Sequence, residues 1–134
     1  MPWYHMLLDL YGCRRDILED SRLVEETLRK LSEMMETRII AGPVVVHYVG
    51  GEGSPSGQGV SGFVVVAESH IAIHTDITTD YVSIDVYSCK KFDQERVERF
   101  LTELFQAKQV ERRFLVRGPG SLKSKRTIGI RQDI

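Results

Sequence analysis

The stretch YVSIDVYSC, residues 81–89, most restricts what this chain can fold into. Val82, Ile84 and Val86 alternate with Ser83, Asp85 and Tyr87. A period of two belongs to a strand with one buried face. Two further β-like runs precede it, VSGFVVVAE and HIAIHT. Near the start, WYHMLLDLYG is rich in aromatic and aliphatic residues and stops at Gly12, which predicts a strand over Trp3–Tyr11. TRIIAGPVVVHYV predicts a strand interrupted near Gly42 and Pro43, because proline cannot donate to a ladder. QVERRFLV predicts a last strand.

Two helical patterns lie between these runs. Asp20 or Ser21 offers an N-cap, and Leu23, Val24, Leu28, Leu31 and Met35 follow at helical spacing. Asp93 caps a second helix with Val97, Phe100, Leu101, Leu104 and Phe105 on one face. The order strand, helix, strands, helix, strand predicts an α+β fold. It is a two-layer α/β sandwich, with two helices on one face of a mainly antiparallel sheet. The other sheet face then needs cover, so a homodimer is expected. GGEGSPSGQG reads as a flexible loop, and the basic, turn-rich tail RGPGSLKSKRTIGIRQDI as partly mobile.

The length of 134 residues fits one domain, 1–134. A formal net charge of -1 gives no electrostatic reason to expect nucleic acid or an anionic membrane as partner. No apolar run approaches ~18 residues, so no transmembrane helix is expected. MPWYHMLLDLYGC lacks the basic region of a signal peptide, and the expected location is cytoplasmic. Cys13 and Cys89 form neither a disulfide framework nor a C-x-x-C pair.

Chemistry-bearing residues gather in the β-rich centre: Ser61, Glu68, Ser69, His70, His74 and Cys89. Taken singly, each has a plain reading as a solvent-face residue or a buried thiol. The chain has no G-x-S-x-G elbow, no H-E-x-x-H and no glycine-rich phosphate loop. His70 and His74, four apart on a strand, stand some ~13 Å from each other, too far for neighbours on one ion. No metal site is expected.

As a set these residues carry a resemblance. GVSGFVVVAESHIAIHT followed by IDVYSC, with DLYGC near the start, closely resembles the small prokaryotic S-adenosylmethionine (AdoMet) decarboxylase proenzymes. The resemblance runs from about Tyr4 to about Val116. It implies self-cleavage between Glu68 and Ser69, leaving chains 1–68 and 69–134, the second beginning with a pyruvoyl group. Ser69 is then the pyruvoyl precursor and Schiff-base former, His74 the processing base and Ser61 an assistant to the rearrangement. Glu68 is the cleavage-site residue and also contacts substrate. Cys89 matches the family's proton donor, and a thiol is a reasonable acid at neutral pH. The self-made pyruvoyl group is the only cofactor implied; it acts as a covalent electron sink for loss of CO2. The family implies a homodimer with active sites built from both protomers and a role in polyamine biosynthesis.

The residues after His74 depart from the pattern. AdoMet-decarboxylating members typically follow the His-Thr pair with Trp-Pro-Glu, whose Trp stacks on adenine and whose Glu holds the ribose. Here Asp76 and Thr78 stand at those places, and Val49 is nearest to a second stacking aromatic. Losing a stacking platform weakens binding by ~1–3 kcal/mol, and losing the ribose carboxylate by ~1.5–3 kcal/mol. A carboxylate at Asp76 suits the distal cation of L-ornithine or L-arginine. The expected activity is therefore decarboxylation of a basic amino acid. AdoMet is the alternative substrate, and an unprocessed, non-catalytic paralogue the second alternative.

Overall fold

The computed structural model of the chain describes residues 2–50 and 57–121. Its elements are β1 (Trp3–Tyr11), α1 (Arg15–Leu18), α2 (Ser21–Met34), β2 (Arg38–Val49), β3 (Gln58–Ala67), β4 (Ser69–Asp76), β5 (Tyr81–Ser88), α3 (Gln94–Phe105) and β6 (Gln109–Arg117). The strands form one sheet in the order β2-β3-β4-β5-β1-β6, and every neighbouring pair is antiparallel. The α+β expectation is met.

Alternation decides which face is buried. Met6, Leu8 and Leu10 of β1, Ile71 and Ile73 of β4, and Val82, Ile84 and Val86 of β5 are buried with α2 and α3 in one core. From the helices, Val24, Leu28 and Leu31 of α2 and Val97, Leu101 and Phe105 of α3 meet them. Both long helices start as the sequence indicates. Asp20 accepts a hydrogen bond from Leu23 N at 3.0 Å, and Asp93 one from Arg96 N at 3.1 Å. Each such cap stabilises its helix by about 1 kcal/mol.

Two expectations are corrected. A third helix, the short α1, follows β1 in the chain and buries Leu18; its four residues are too few to show a helical period. And β2 is not interrupted at Gly42 and Pro43 but runs through them, with register shifts between Ile39 and Ala41 and between Ala41 and Val44. β2 is an edge strand, where a proline has no outer ladder bond to lose and a bulge absorbs the extra residues. Residues 51–56 of the Gly/Ser-rich loop and the tail from residue 122 lie outside the described residues; Gln58 and Gly59 already belong to β3.

Among the described residues, no helix covers the second sheet face. Val44, Val46 and Phe63 stand on it about half exposed. Among the described residues, no helix is long and apolar enough to cross a membrane.

β3 and β4 are locked by close approach. A Cβ on Gly59 would sit 2.0 Å from the carbonyl oxygen of Thr75, so only glycine fits there. Thr75 is itself buried. Its hydroxyl accepts from Val60 N at 2.9 Å and donates to the Leu18 carbonyl at 2.8 Å, tying β3, β4 and α1. Thr75→Val keeps the shape but leaves both partners unsatisfied. It should lower unfolding free energy by ~1–3 kcal/mol in urea titrations; an unchanged midpoint would contradict this role.

Candidate active site

The β3–β4 connection is as short as a hairpin allows. Val66 pairs with Ser69 across it, and Glu68 alone belongs to neither strand. Ser69 has φ of 134°, a conformation that a residue with a Cβ rarely adopts and that costs on the order of 1–3 kcal/mol. The Ser69 hydroxyl donates to the main-chain carbonyl of Tyr87. Ser69 is also the register partner of Ser88, so Cys89, the next residue, lies at the same end of the sheet. Cys89 is a free, half-buried thiol. The loop after it is fixed by Lys90, whose N–H donates to Ser88 Oγ at 3.1 Å and whose Nζ donates to the Glu36 carbonyl at 2.6 Å. The other cysteine, Cys13, is buried. Burial, and after it the Asp80 carboxylate, pushes its thiol up to about 11, so it stays protonated in the core.

Ser61 and His74 also meet. They are register partners on β3 and β4, and His74 Nδ1 lies 2.9 Å from Ser61 Oγ. This pair stands on the helix-free face, with Val46 opposite Ser61 on β2. His74 is five residues beyond Ser69 along β4, a separation of ~17 Å. Within one chain, therefore, the predicted residues form two groups. Glu68, Ser69 and Cys89 lie at one end of the sheet, and Ser61 and His74 lie toward the other.

Asp76 is hydrogen-bonded within its own turn. Its Oδ1 accepts from Thr78 N at 3.0 Å and its Oδ2 from Thr79 Oγ1 at 2.8 Å. It organises its own β4–β5 turn, as aspartates at turns commonly do.

Sequence reading missed an aromatic and cationic cluster beside Ser69 on the helix-free face. The Tyr87 ring lies 5.4 Å from Trp3 in a stacked arrangement, 5.1 Å from His5 and 5.5 Å from His70. The Arg117 guanidinium sits 4.6 Å from the Tyr87 ring centre, and its Nη1 donates to His5 Nδ1 at 2.9 Å. These residues come from β1, β4, β5 and β6. Alternation places each on a face, but only the register of the sheet shows that they touch. A cavity of about 490 Å³ between α3 and β6, lined by Glu98, Thr102 and Arg112 among others, contains none of these groups.

The sequence profile described as S-adenosylmethionine decarboxylase matches residues 4–118. The chain belongs to the S-adenosylmethionine decarboxylase family. An "S-adenosylmethionine decarboxylase proenzyme" of Clostridium botulinum (strain Langeland) is 35% identical over 116 residues, covering 86% of this chain and 93% of the relative. One of the same name from Moorella thermoacetica is 39% identical over 119 residues, covering 85% and 86%. The crystal structure of the adenosylmethionine decarboxylase from Aquifex aeolicus superposes with a TM-score of 0.71 at 24% identity, over 92% of this chain and 96% of that one; it shows the shared fold. As a member of the AdoMet decarboxylase family, the chain is a pyruvoyl-dependent carboxy-lyase whose cofactor is self-generated. The residues present fit that cofactor: a serine follows a glutamate in a tight turn, with its hydroxyl fixed by a neighbouring strand.

His5 gives the cluster a pH dependence. Burial lowers its pKa below 6.5; the Asp85 carboxylate, 3.9 Å from Nε2, opposes this, while Arg117 and His70 add to the lowering. An unfolded chain takes up a proton near pH 6.5, whereas the folded chain resists it. The contribution to stability is complete above pH 6.5 and is lost as pH falls below it toward the folded-state pKa. Urea midpoints at pH 7.5 and pH 5.5 should therefore differ more for the wild type than for His5→Asn. Equal differences would show that His5 does not couple to folding.

Proposed function

We propose that the chain cleaves itself between Glu68 and Ser69 and, as a homodimer, decarboxylates AdoMet with the pyruvoyl group made from Ser69. The observation that carries the cleavage is the geometry of Ser69: φ of 134° beside the bond to be broken, and a hydroxyl already aligned by the Tyr87 carbonyl. In the first step Oγ of Ser69 bonds to the carbonyl carbon of Glu68 and the C–N bond breaks, turning an amide into an ester. A base then removes the α-proton of Ser69, and the Cβ–Oγ bond breaks to release Glu68 as a carboxylate. Water converts the dehydroalanine left at position 69 into a pyruvoyl group and ammonia. When formed, that group supplies an electron sink for loss of CO2 from an α-amino acid. The position of Cys89, one residue past the register partner of Ser69, supports it as the group that returns a proton.

The pair Ser61 and His74 supports a site shared between two protomers. At ~17 Å along β4 from Ser69, His74 is out of reach of its own cleavage site. The helix-free face, where it is exposed, also carries the half-exposed Val44, Val46 and Phe63. Packing two such faces together buries these apolar residues and brings the His74 of one protomer toward the Ser69 of the other. Two precursors test this: Ser69→Ala keeps His74, and His74→Ala keeps Ser69. Each alone should stay whole. Mixed after partial denaturation and refolding, the His74→Ala chain should be cleaved by the histidine of its companion. Failure of the mixture to cleave would place the processing base within one chain.

For the substrate, the names of relatives at 35% and 39% identity support AdoMet. A second reading, L-ornithine or L-arginine, is favoured by one observation: Asp76 and Thr78 stand where AdoMet-decarboxylating members carry the adenine-stacking Trp and the ribose-binding Glu. Intact mass should show two chains split after residue 68. CO2 release from carboxyl-labelled AdoMet, ornithine and arginine then decides, with AdoMet expected; release only from a basic amino acid would overturn it in favour of the second reading.

A further inference from the structure

The corner between α2 and β2 reaches the cleavage turn through one side chain. Thr37, the residue before β2, donates its hydroxyl to the main-chain carbonyl of Ala67 at 2.5 Å. Ala67 is the last residue of β3 and the neighbour of Glu68. Thr37 is itself clamped from both sides by Ser32 in the last turns of α2. The N–H of Thr37 donates to the Ser32 carbonyl at 3.1 Å, and Ser32 Oγ donates to the Thr37 carbonyl at 3.1 Å. Ser32 is buried, at 2% exposure. The residue before Thr37, Glu36, takes the Lys90 ammonium on its carbonyl, so the same corner also holds the loop after Cys89. A hydroxyl anchored by a buried helix end thus fixes the peptide plane that leads into the scissile pair, while the Tyr87 carbonyl fixes the nucleophile on the other side.

We infer that Thr37 is a positioning residue for self-cleavage, and that it acts through the Ala67 carbonyl to hold Glu68 where the Ser69 hydroxyl can reach it. This rests on the proposed cleavage between Glu68 and Ser69. The first step needs Oγ of Ser69 close to the carbonyl carbon of Glu68, a geometry set by χ1 and φ of Ser69 and by the orientation of the turn. The Thr37 bond restricts that orientation. Reactions that depend on alignment lose roughly 100-fold for a displacement of about 1 Å, so a single hydrogen bond at this place matters to rate. Thr37 and Ala67 both lie in chain 1–68, so the bond outlasts cleavage and keeps the new C-terminus at Glu68 beside the pyruvoyl end. The same side chain therefore serves the precursor and the finished enzyme.

The test compares wild type, Thr37→Val and Thr37→Ser as full-length precursors. Excess hydroxylamine cleaves the ester as soon as it forms, so the appearance of the 1–68 fragment reports the first step alone. Thr37→Val, which keeps the shape and loses the hydroxyl, should form ester roughly 10- to 100-fold more slowly. Thr37→Ser, which restores the hydroxyl, should run within about twofold of wild type. Processed Thr37→Val enzyme should also show a raised KM with a smaller change in kcat. Melting temperatures in a Ser69→Ala background report folding separately. A Thr37→Val precursor that forms ester at the wild-type rate overturns the inference. So does a slow Thr37→Ser, which stands as a test even where Thr37→Val folds poorly. A wild-type chain that never cleaves after residue 68 overturns the proposed function, and the positioning role with it; cleavage by wild type at an unchanged rate in Thr37→Val overturns the positioning role alone.

Discussion

The register of β3 on β4 is the constraint on which the rest of the structure depends. Pairing Val66 with Ser69 leaves room for only the tightest of connections. That register also sets Ser61 opposite His74 at the far end of the same ladder, and through β5 it sets Ser69 opposite Ser88, next to Cys89. A slip of one residue would turn Ile71 and Ile73 out of the core and break every one of these pairings together. Two features prevent it. Gly59 lets β3 approach the Thr75 carbonyl more closely than any side chain would allow, and the Thr75 hydroxyl then bonds across to Val60 and Leu18. Burial of the apolar alternation supplies the stability, and these close contacts supply the uniqueness.

Strain and order sit at the same point. Ser69 occupies a sparsely populated region of backbone space, and it is held there from several directions: by Tyr87 on β5, by Thr37 through Ala67, and by the ladder to Val66. A conformation that costs energy persists where the surroundings over-determine it. The residues on either side of this turn are also paired to other strands, Ala67 to Arg38 and Ser69 to Ser88. The helix-free face has the opposite character. It carries a polar and aromatic cluster of His70, Tyr87, His5 and Arg117, together with the half-exposed apolar residues around Phe63. Such a face is suited to being closed by a second surface rather than by a helix of the same chain.

Much of this was legible in the residues. The alternation in YVSIDVYSC and the aromatic and aliphatic run WYHMLLDLY ending at Gly12 point to two central strands, and Asp20 and Asp93 to the starts of both long helices, because a period, a composition and a cap are local signals. The short α1 was invisible, since four residues carry no period. The continuity of β2 was misread, because a proline at an edge strand costs no ladder bond and edge position is not a local property. Asp76 reads in the sequence as a carboxylate for a ligand, and the fold adds that it also ties its own turn through Thr78 and Thr79; a sequence shows the charge but not its hydrogen-bond partners. Thr37 gave no signal at all, because its partner is thirty positions away in the chain.

The sequence by itself determined the α+β architecture, the two faces of the sheet and the set of candidate reactive side chains, because side-chain chemistry and hydrophobic period are properties of the chain alone. Only the tertiary structure decided how those residues are grouped. It put Ser69 with Tyr87, Ser88 and Cys89, put Ser61 with His74 at a distance from them, and linked the end of α2 to the β3–β4 turn. The reason is physical: hydrogen bonds and reactive contacts form across strands, and which residues face each other there depends on register and strand order, which are settled only when the whole core packs.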